Sequence, residues 1–396
     1  LDRMAMRPEK NACNRTRGFS LVELLVAITL GAIILAGAIT LFVNNRDTYK
    51  TTNELSRLQE TARYALGMIV KDIRMAGYFG CADRLDTVTL NVPVGTVGQL
   101  WDFNLDAAAG NIVPPVEGFE AAFPANNFMP SGFAVTVGTN GLGGQVLAGT
   151  DALTLRYIGG SMADVAPANG TLDFMVTADA TNGANSTITV DSTTGFGLNQ
   201  VATITDCGGS DIFQVNAAPT ATTVQANALS RGYNATASPM IAPFVGVRYY
   251  IGDNGRGPGG EVYPSLYRTI ITPPDPTILV PTPPTETNQE LFEGVERMEL
   301  LYGVDTNGNG IPNSYVRAGD APLNAANPGN WASVVSVRIA IVVRTIDQSG
   351  RADAANIDTN TYTVNDHDDV LSPRFDPVDD RRRRRVFTTT SMVRNL

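Results

Sequence analysis

Histidine is nearly missing from this chain of 396 residues, which holds one, His367. A single histidine leaves at most one Ser-His pairing for nucleophilic catalysis. It also argues against a transition-metal site, which wants several nitrogen or sulfur donors. Charge is sparse as well: Asp, Glu, Lys and Arg together reach 17%, where about a quarter is ordinary. The shortage is not that of a disordered chain, because 43% of residues are hydrophobic. Positive charge is the scarcer sign, 29 residues against 39 acids and a net of −10. An acidic body argues against nucleic acid as a partner. Cysteine is limited to Cys13, Cys81 and Cys207. The glycine-rich stretch "GDNGRGPGG" (252–260) holds a proline and is followed by no helix signal, so it reads as a loop rather than a nucleotide cradle. No catalytic constellation is visible, and the chain reads as a non-enzyme. The sequence opens on Leu1, with Met4 and Met6 as other candidate starts.

What the chain does have is one long apolar run, Phe19 to Val43, after a short stretch rich in Arg and Lys. A secretory signal peptide has an apolar core of about 7–15 residues and a small-residue exit, which this run does not match. A transmembrane anchor needs about 20 apolar residues, which it does. The basic residues ahead of the run place the N-terminus in the cytoplasm and the remainder outside. Glu23 lies inside the run, and a carboxylate in hydrocarbon is costly. Gly31 and Gly37 also interrupt it, and either local unwinding or close helix contact would use them.

Past Val43 the pattern turns amphipathic. Leu55, Leu58, Ala62, Ala65, Ile69, Ile73 and Ala76 recur at steps of three and four. Glu54, Arg57, Glu60, Arg63, Lys71 and Asp72 are assigned to the opposite face, and Gly77 is the expected stop. A helix from Phe19 to Ala76 would run roughly 87 Å at 1.5 Å per residue. Beyond it the signals are strands: 151–158, 171–177, 186–191, 245–252, 333–345 and 386–393. In 333–345 strict alternation predicts one core face and one partly exposed face. Residues 272–287 hold six prolines and read as an extended loop.

Gly18-Phe19-Ser20-Leu21-Val22-Glu23 resembles the processing site of class III signal peptides, found in type IV pilins and type II secretion pseudopilins. The resemblance implies cleavage between Gly18 and Phe19 by a prepilin peptidase, followed by N-methylation. It makes Glu23 the fifth mature residue, poised to meet the new α-amine of a neighbouring subunit. A buried amine and a buried carboxylate are each expensive alone and tolerable together. The phrases "ALGMIVKDIRMAGYFGC" (65–81), "DCGGSDIFQV" (206–215), "VRYYIGD" (247–253), "ELFEGVERMELLYGVDTNGNG" (290–310), "WASVVSVRIAIVVRT" (331–345) and "RRRVFTTTSMVRN" (383–395) resemble PilW-type minor pilins in particular.

That resemblance implies an α+β lollipop: a cleaved leader (1–18), a membrane and filament-core helix (19–43), an amphipathic half (44–76), and a β-rich head (77–396) with variable insertions at about 83–200. It implies a minor pilin that helps start type IV pilus assembly at or near the tip, serving twitching motility and adhesion. Expected partners are other minor pilins, the major pilin, a tip adhesin, the prepilin peptidase and the inner-membrane assembly platform. The chain is expected in the bacterial inner membrane with a periplasmic head, and later in the pilus. A minor pseudopilin of a type II secretion system is the alternative, and a DNA-uptake pilin a more distant one.

Five smaller expectations complete the reading. Cys81 and Cys207 are the only cysteines left after processing and, in an oxidising periplasm, are expected to bond. Asp305, Asn307 and Asn309 with Gly310 match the first half of a calcium loop, but position twelve is Val316 instead of a bidentate Glu, and an ordinary Asn/Gly turn is the competing reading. No cofactor is required. The run Arg381–Arg385, after Asp376, Asp379 and Asp380, is expected to neutralise charge on a solvated edge, and His367 to sit in a solvated acidic loop.

Overall fold

The computed structural model describes residues 20–80, 87–92, 114–120, 145–147, 149–159, 174–193, 196–257, 260–272, 285–324, 328–348, 357–364 and 375–394. Gly18, Phe19, Cys81, His367 and residues 273–284 of the proline-rich stretch lie outside them. The chain divides into two units, residues 1–53 and 54–396.

The first unit is helical. Helix α1 spans Leu21–Met75, close to the expected bounds, and its first part belongs here. Ser20 caps it: the Ser20 hydroxyl accepts the Glu23 backbone N–H at 3.2 Å, satisfying one of the donors that a helix start leaves unpaired. Threonines within the apolar run turn their hydroxyls back on the helix. Thr29 donates to the Leu25 and Val26 carbonyls at 3.0 and 2.9 Å, and Thr40 to the Ala36 carbonyl at 2.5 Å. This is how a polar side chain becomes tolerable in hydrocarbon. The leucines, isoleucines and valines of residues 21–41 are exposed. The segment is long and apolar enough to cross a membrane. The helix runs through Gly31 and Gly37 without a break, and a Cβ at either would meet no other atom within 4 Å among the described residues beyond its own helix turn.

The second unit holds the rest of α1 and, among the described residues, sixteen strands. They are β1 (Val88–Leu90), β2 (Val116–Phe119), β3 (Gln145–Val146), β4 (Ala152–Ile158), β5 (Phe174–Met175), β6 (Gly183–Thr189), β7 (Val201–Asp206), β8 (Gly209–Gln214), β9 (Thr223–Leu229), β10 (Met240–Asp253), β11 (Pro264–Thr272), β12 (Thr285–Glu293), β13 (Val295–Val304), β14 (Ser314–Val316), β15 (Val334–Arg344) and β16 (Arg384–Met392). The larger sheet is built on β10, whose 14 residues are buried almost throughout. That burial explains its near-continuous apolar sequence. β7 pairs with its start, and β4 and β11 flank its middle. A second sheet has the order β14-β13-β15-β16, and β6 pairs with β9 as a separate ribbon. The whole is an α+β fold.

One core joins the helix to both sheets. Leu58, Ala62, Ala65, Ile69, Ile73 and Ala76 pack with Leu155 and Tyr249 of the larger sheet and with Met298, Leu300 and Ile339 of the second. Fully burying each branched side chain is worth about 1.5–3 kcal/mol. Gly77 ends the helix with a left-handed φ of 79°, and its N–H donates to the Arg156 carbonyl of β4 at 3.0 Å. A smaller core, including Phe174, Ile188, Phe213, Val224 and Tyr233, fills the β6–β9 ribbon against the end of the larger sheet.

Two expectations need correction. Asp72 does not lie on the solvent face of α1: it is 7% exposed. It sits three residues after Ile69 and seven after Ala65, on the buried stripe itself. The second face of β15 is also covered. Only Arg338 along this strand escapes full burial, because Tyr362, Val364 and Phe375 pack over Ala340 and Val342. Those residues arrive from segments far along the chain, which local alternation does not register.

Candidate functional site

The residues that decide the chain's chemistry are charges held in apolar places, and they occur in both units. Within the first unit, Glu23 occupies the first turn of α1, where a negative charge meets the positive end of the helix dipole. Ser20 and Glu23 form the S-x-x-E pattern of a capping box, a signal present in the sequence but not used in reading it. The neighbouring Gly18 and Phe19 lie outside the described residues.

Within the second unit, Asp72 takes a hydrogen bond from the Tyr249 hydroxyl of β10 at 2.5 Å. Burial pushes its carboxyl above the ordinary value, against the pull of Tyr249 and the nearby Arg268. The phenols of Tyr157 and Tyr249 are raised in turn, first by burial and then by the Asp72 charge. This bond ties the amphipathic half of α1 to the larger sheet, alongside the buried apolar stripe.

The arginine run is half buried, which corrects the solvated-edge expectation. β16 starts at Arg384, before the predicted 386, so alternate arginines point opposite ways. Arg383 and Arg385 are exposed; Arg382 and Arg384 are buried. Arg384 donates to Glu296 at 2.6 Å, to Asp380 at 2.8 and 3.0 Å, and to Asp358 at 3.3 Å. Arg382 reaches Glu261 at 2.6 Å and Asp380 at 3.0 Å. Burial alone would lower the Arg384 guanidinium; its bonds to Glu296 and Asp380 raise it instead. Burial pulls Asp380 upward, but Arg384 and Arg382 hold it below its ordinary value, and Tyr362 and Asn360 do the same for Asp358. The network fastens the C-terminal strand to β13 and to the segment around Asp358.

At the loop after β13, the Asp305 carboxylate accepts backbone N–H groups of Asn307, Gly308 and Gly310 at 3.0, 2.7 and 2.6 Å. Burial works against those bonds, yet Asp305 stays below its ordinary value. Asn307 and Asn309 each accept an N–H two residues on. Val316, at position twelve, pairs with Tyr302 in the sheet.

Cys207 lies in the turn joining β7 to β8. Its expected partner Cys81 is outside the described residues, but the two residues before it are not. The Ser210 hydroxyl donates to the Phe79 carbonyl at 2.9 Å. Gly80 lies so close to Thr205 that a Cβ there would be 2.2 Å from the Thr205 methyl. The chain entering Cys81 therefore rests on the hairpin that carries Cys207.

A last constellation was invisible in the sequence. Glu120, after β2, meets Asp151, before β4, and Glu299 of β13. Burial, then the neighbouring Glu299, pushes the Glu120 carboxyl up to about 7.

Residues 248–395 match the family described as type IV pilus-assembly protein W, and residues 13–39 match the prokaryotic N-terminal methylation motif. A pilin-like protein of Thermus thermophilus, PilA3, is 30% identical over 79 residues, which cover 19% of this chain and 34% of that relative. The match thus spans about a third of the relative's length. No solved structure matches the chain. The N-terminal match covers residues 18–23, and the C-terminal match covers the phrases at 290–310, 331–345 and 383–395 and nearly all of 247–253, while those at 65–81 and 206–215 lie outside both.

Proposed function

We propose that this chain, a type IV minor pilin of the PilW family, works as an assembly subunit that helps start the pilus and resides at or near its tip. The observation that carries the reading is the continuous helix α1, whose apolar, exposed first part has Glu23 in its first turn and whose later part buries one stripe in a β-rich core. The apolar part holds the subunit in the inner membrane, with the β-rich unit on the periplasmic side. The prepilin peptidase cuts between Gly18 and Phe19 and the new amine is methylated. Glu23 then draws the N-terminus of an adjacent subunit out of the bilayer and into register. Two opposite charges that are each unaffordable in hydrocarbon become acceptable as a pair. The partners in this reading are companion minor pilins, the major pilin, a tip adhesin and the inner-membrane assembly platform, and the output is twitching motility and adhesion.

A Cys81–Cys207 disulfide fits the same reading. Phe79 and Gly80 already touch the β7–β8 hairpin, and an exported head meets oxidising conditions. Non-reducing mass spectrometry of secreted or membrane material should find Cys81 and Cys207 in one linked peptide, and two unmodified thiols would overturn it. The 305–310 loop needs no cation in this account, because its side-chain oxygens already close the turn by accepting backbone N–H bonds. The reading is non-enzymatic: charge pairing and docking do the work.

Deleting the gene tests the function and its alternative together. Surface pili and twitching should be lost and return with the wild-type gene, while secretion of exported enzymes continues. Intact pili with a secretion defect would instead favour a pseudopilin of a type II secretion system.

A further inference from the structure

Where the larger sheet meets the second one, the joint is hydrogen-bonded. The Asp151 N–H donates to the Met298 carbonyl at 2.9 Å, and the Leu300 N–H donates to the Asp151 carboxylate at 2.7 Å. Glu120 and Glu299 close on the same spot. One carboxylate oxygen from each of Glu120, Asp151 and Glu299 lies within 4.8 Å of the other two. Calcium–oxygen bonds are about 2.3–2.6 Å, so ligands on opposite sides of one ion stand about 5 Å apart. All three oxygens therefore fit around a single cation.

Charge points the same way. Arg297 donates to Glu299 at 2.5 Å, and Arg317 acts on both glutamates. Three carboxylates at this separation repel unless a countercharge or a proton intervenes.

A second observation is independent of the acids. Tyr302 of β13 is 1% exposed, and its hydroxyl has no hydrogen-bond partner among the described residues. A buried hydroxyl without a partner is costly. This one lies directly over Gly118 of β2, where a Cβ would be 1.8 Å from the oxygen, and Glu120 follows two residues later, just past the end of the strand. The charge acting on it most strongly is Asp151, followed by Glu120. Glu120 Oε2 is likewise buried without a partner among the described residues.

We propose that Glu120, Asp151 and Glu299 hold one divalent cation at the joint between the two sheets, and that the cation is calcium. The donors are all hard oxygens, which select calcium or magnesium over softer metals. Several carboxylates from irregular positions suit the flexible coordination of calcium better than the rigid octahedron of magnesium. The Tyr302 hydroxyl gives a coordinated water or carboxylate its hydrogen bond. The bound ion adds a further tie between β2, β4 and β13 at this hydrogen-bonded joint. This inference stands on the sheet joint and does not depend on the assembly role.

Calcium titrated into the full chain in detergent, after stripping with EDTA, tests it by calorimetry and thermal unfolding. The wild type should bind one calcium and unfold at higher temperature, with magnesium giving a smaller rise. Glu120→Gln and Glu299→Gln keep the side-chain size and remove a ligand charge, and each should weaken binding at least about tenfold. In EDTA, Glu120→Gln should unfold no earlier than wild type, because it relieves repulsion, which separates a lost ligand from a misfolded variant. Asp305→Asn should leave the titration unchanged. The proposal falls if the wild type shows neither calcium heat nor a thermal shift, if both survive Glu120→Gln and Glu299→Gln, if Asp305→Asn alone removes them, or if magnesium matches calcium.

Discussion

Glu23 and Asp72 are acids on the same helix, and each is placed where acids are rare. Asp72 is settled within its own chain: Tyr249 donates to it, Arg268 stands near, and the surrounding core fixes its position. Glu23 has Ser20 and its own helix turn for company, among exposed leucines and valines. The difference teaches what each part is for. A charge satisfied inside the fold makes a joint, whereas in the proposed function the charge of Glu23 is left for another molecule. The arginine network belongs with Asp72, since Arg384 meets Glu296, Asp380 and Asp358 without leaving the chain.

The contrast breaks most completely at Glu23. Glu23→Ala should leave the protein in the membrane fraction but out of the filament, with surface pili nearly abolished. A carboxylate inside a membrane-spanning segment is costly alone, and pairing with a neighbour's α-amine offsets that cost. Wild-type piliation in this variant would reduce Glu23 to a capping residue.

Arg384→Met should have the largest effect on the stability of the β-rich unit. Removing one partner of a buried ion network costs about 3–5 kcal/mol, readable as a lower denaturant midpoint of the full chain in detergent. The same network sets a pH dependence. Asp358 and Asp380 are held below their ordinary values in the folded state. The unfolded chain therefore takes up protons first as pH falls, and stability is present above the ordinary carboxylate range and lost below it. Arg384→Met should flatten that acid limb.

Asp72→Ala comes next. It strands the buried Tyr249 hydroxyl and should cost about 1–3 kcal/mol, while Asp72→Asn, which still accepts from Tyr249, should recover most of the loss. Ser20→Ala is the smallest effect, about 1 kcal/mol of local helix stability. It should appear as faster amide exchange in the first turn without loss of pili, which separates capping from assembly at adjacent residues.

How much of this was legible in the sequence depends on how local the cause is. The apolar run, the stripe from Leu58 to Ala76 and the alternation in β15 are patterns of period 3.6 or 2, and the structure follows them. Asp72 was misplaced because its chemistry was weighed above its position on the stripe. The arginine run was read as a block, although strand alternation would have sent Arg382 and Arg384 inward. The remaining features are matters of long range. Glu296 lies 88 residues from Arg384, and Thr150 lies 148 residues from the Met298 carbonyl it binds. No spacing rule links Glu120, Asp151 and Glu299.

The most direct measurement is the intact mass and N-terminal sequence of the chain isolated from cells. The account predicts a protein that begins at Phe19 with a methylated amine, ready for the Glu23 of a neighbour. A chain that keeps residues upstream of Phe19 would contradict it, because the amine that Glu23 needs would never be made.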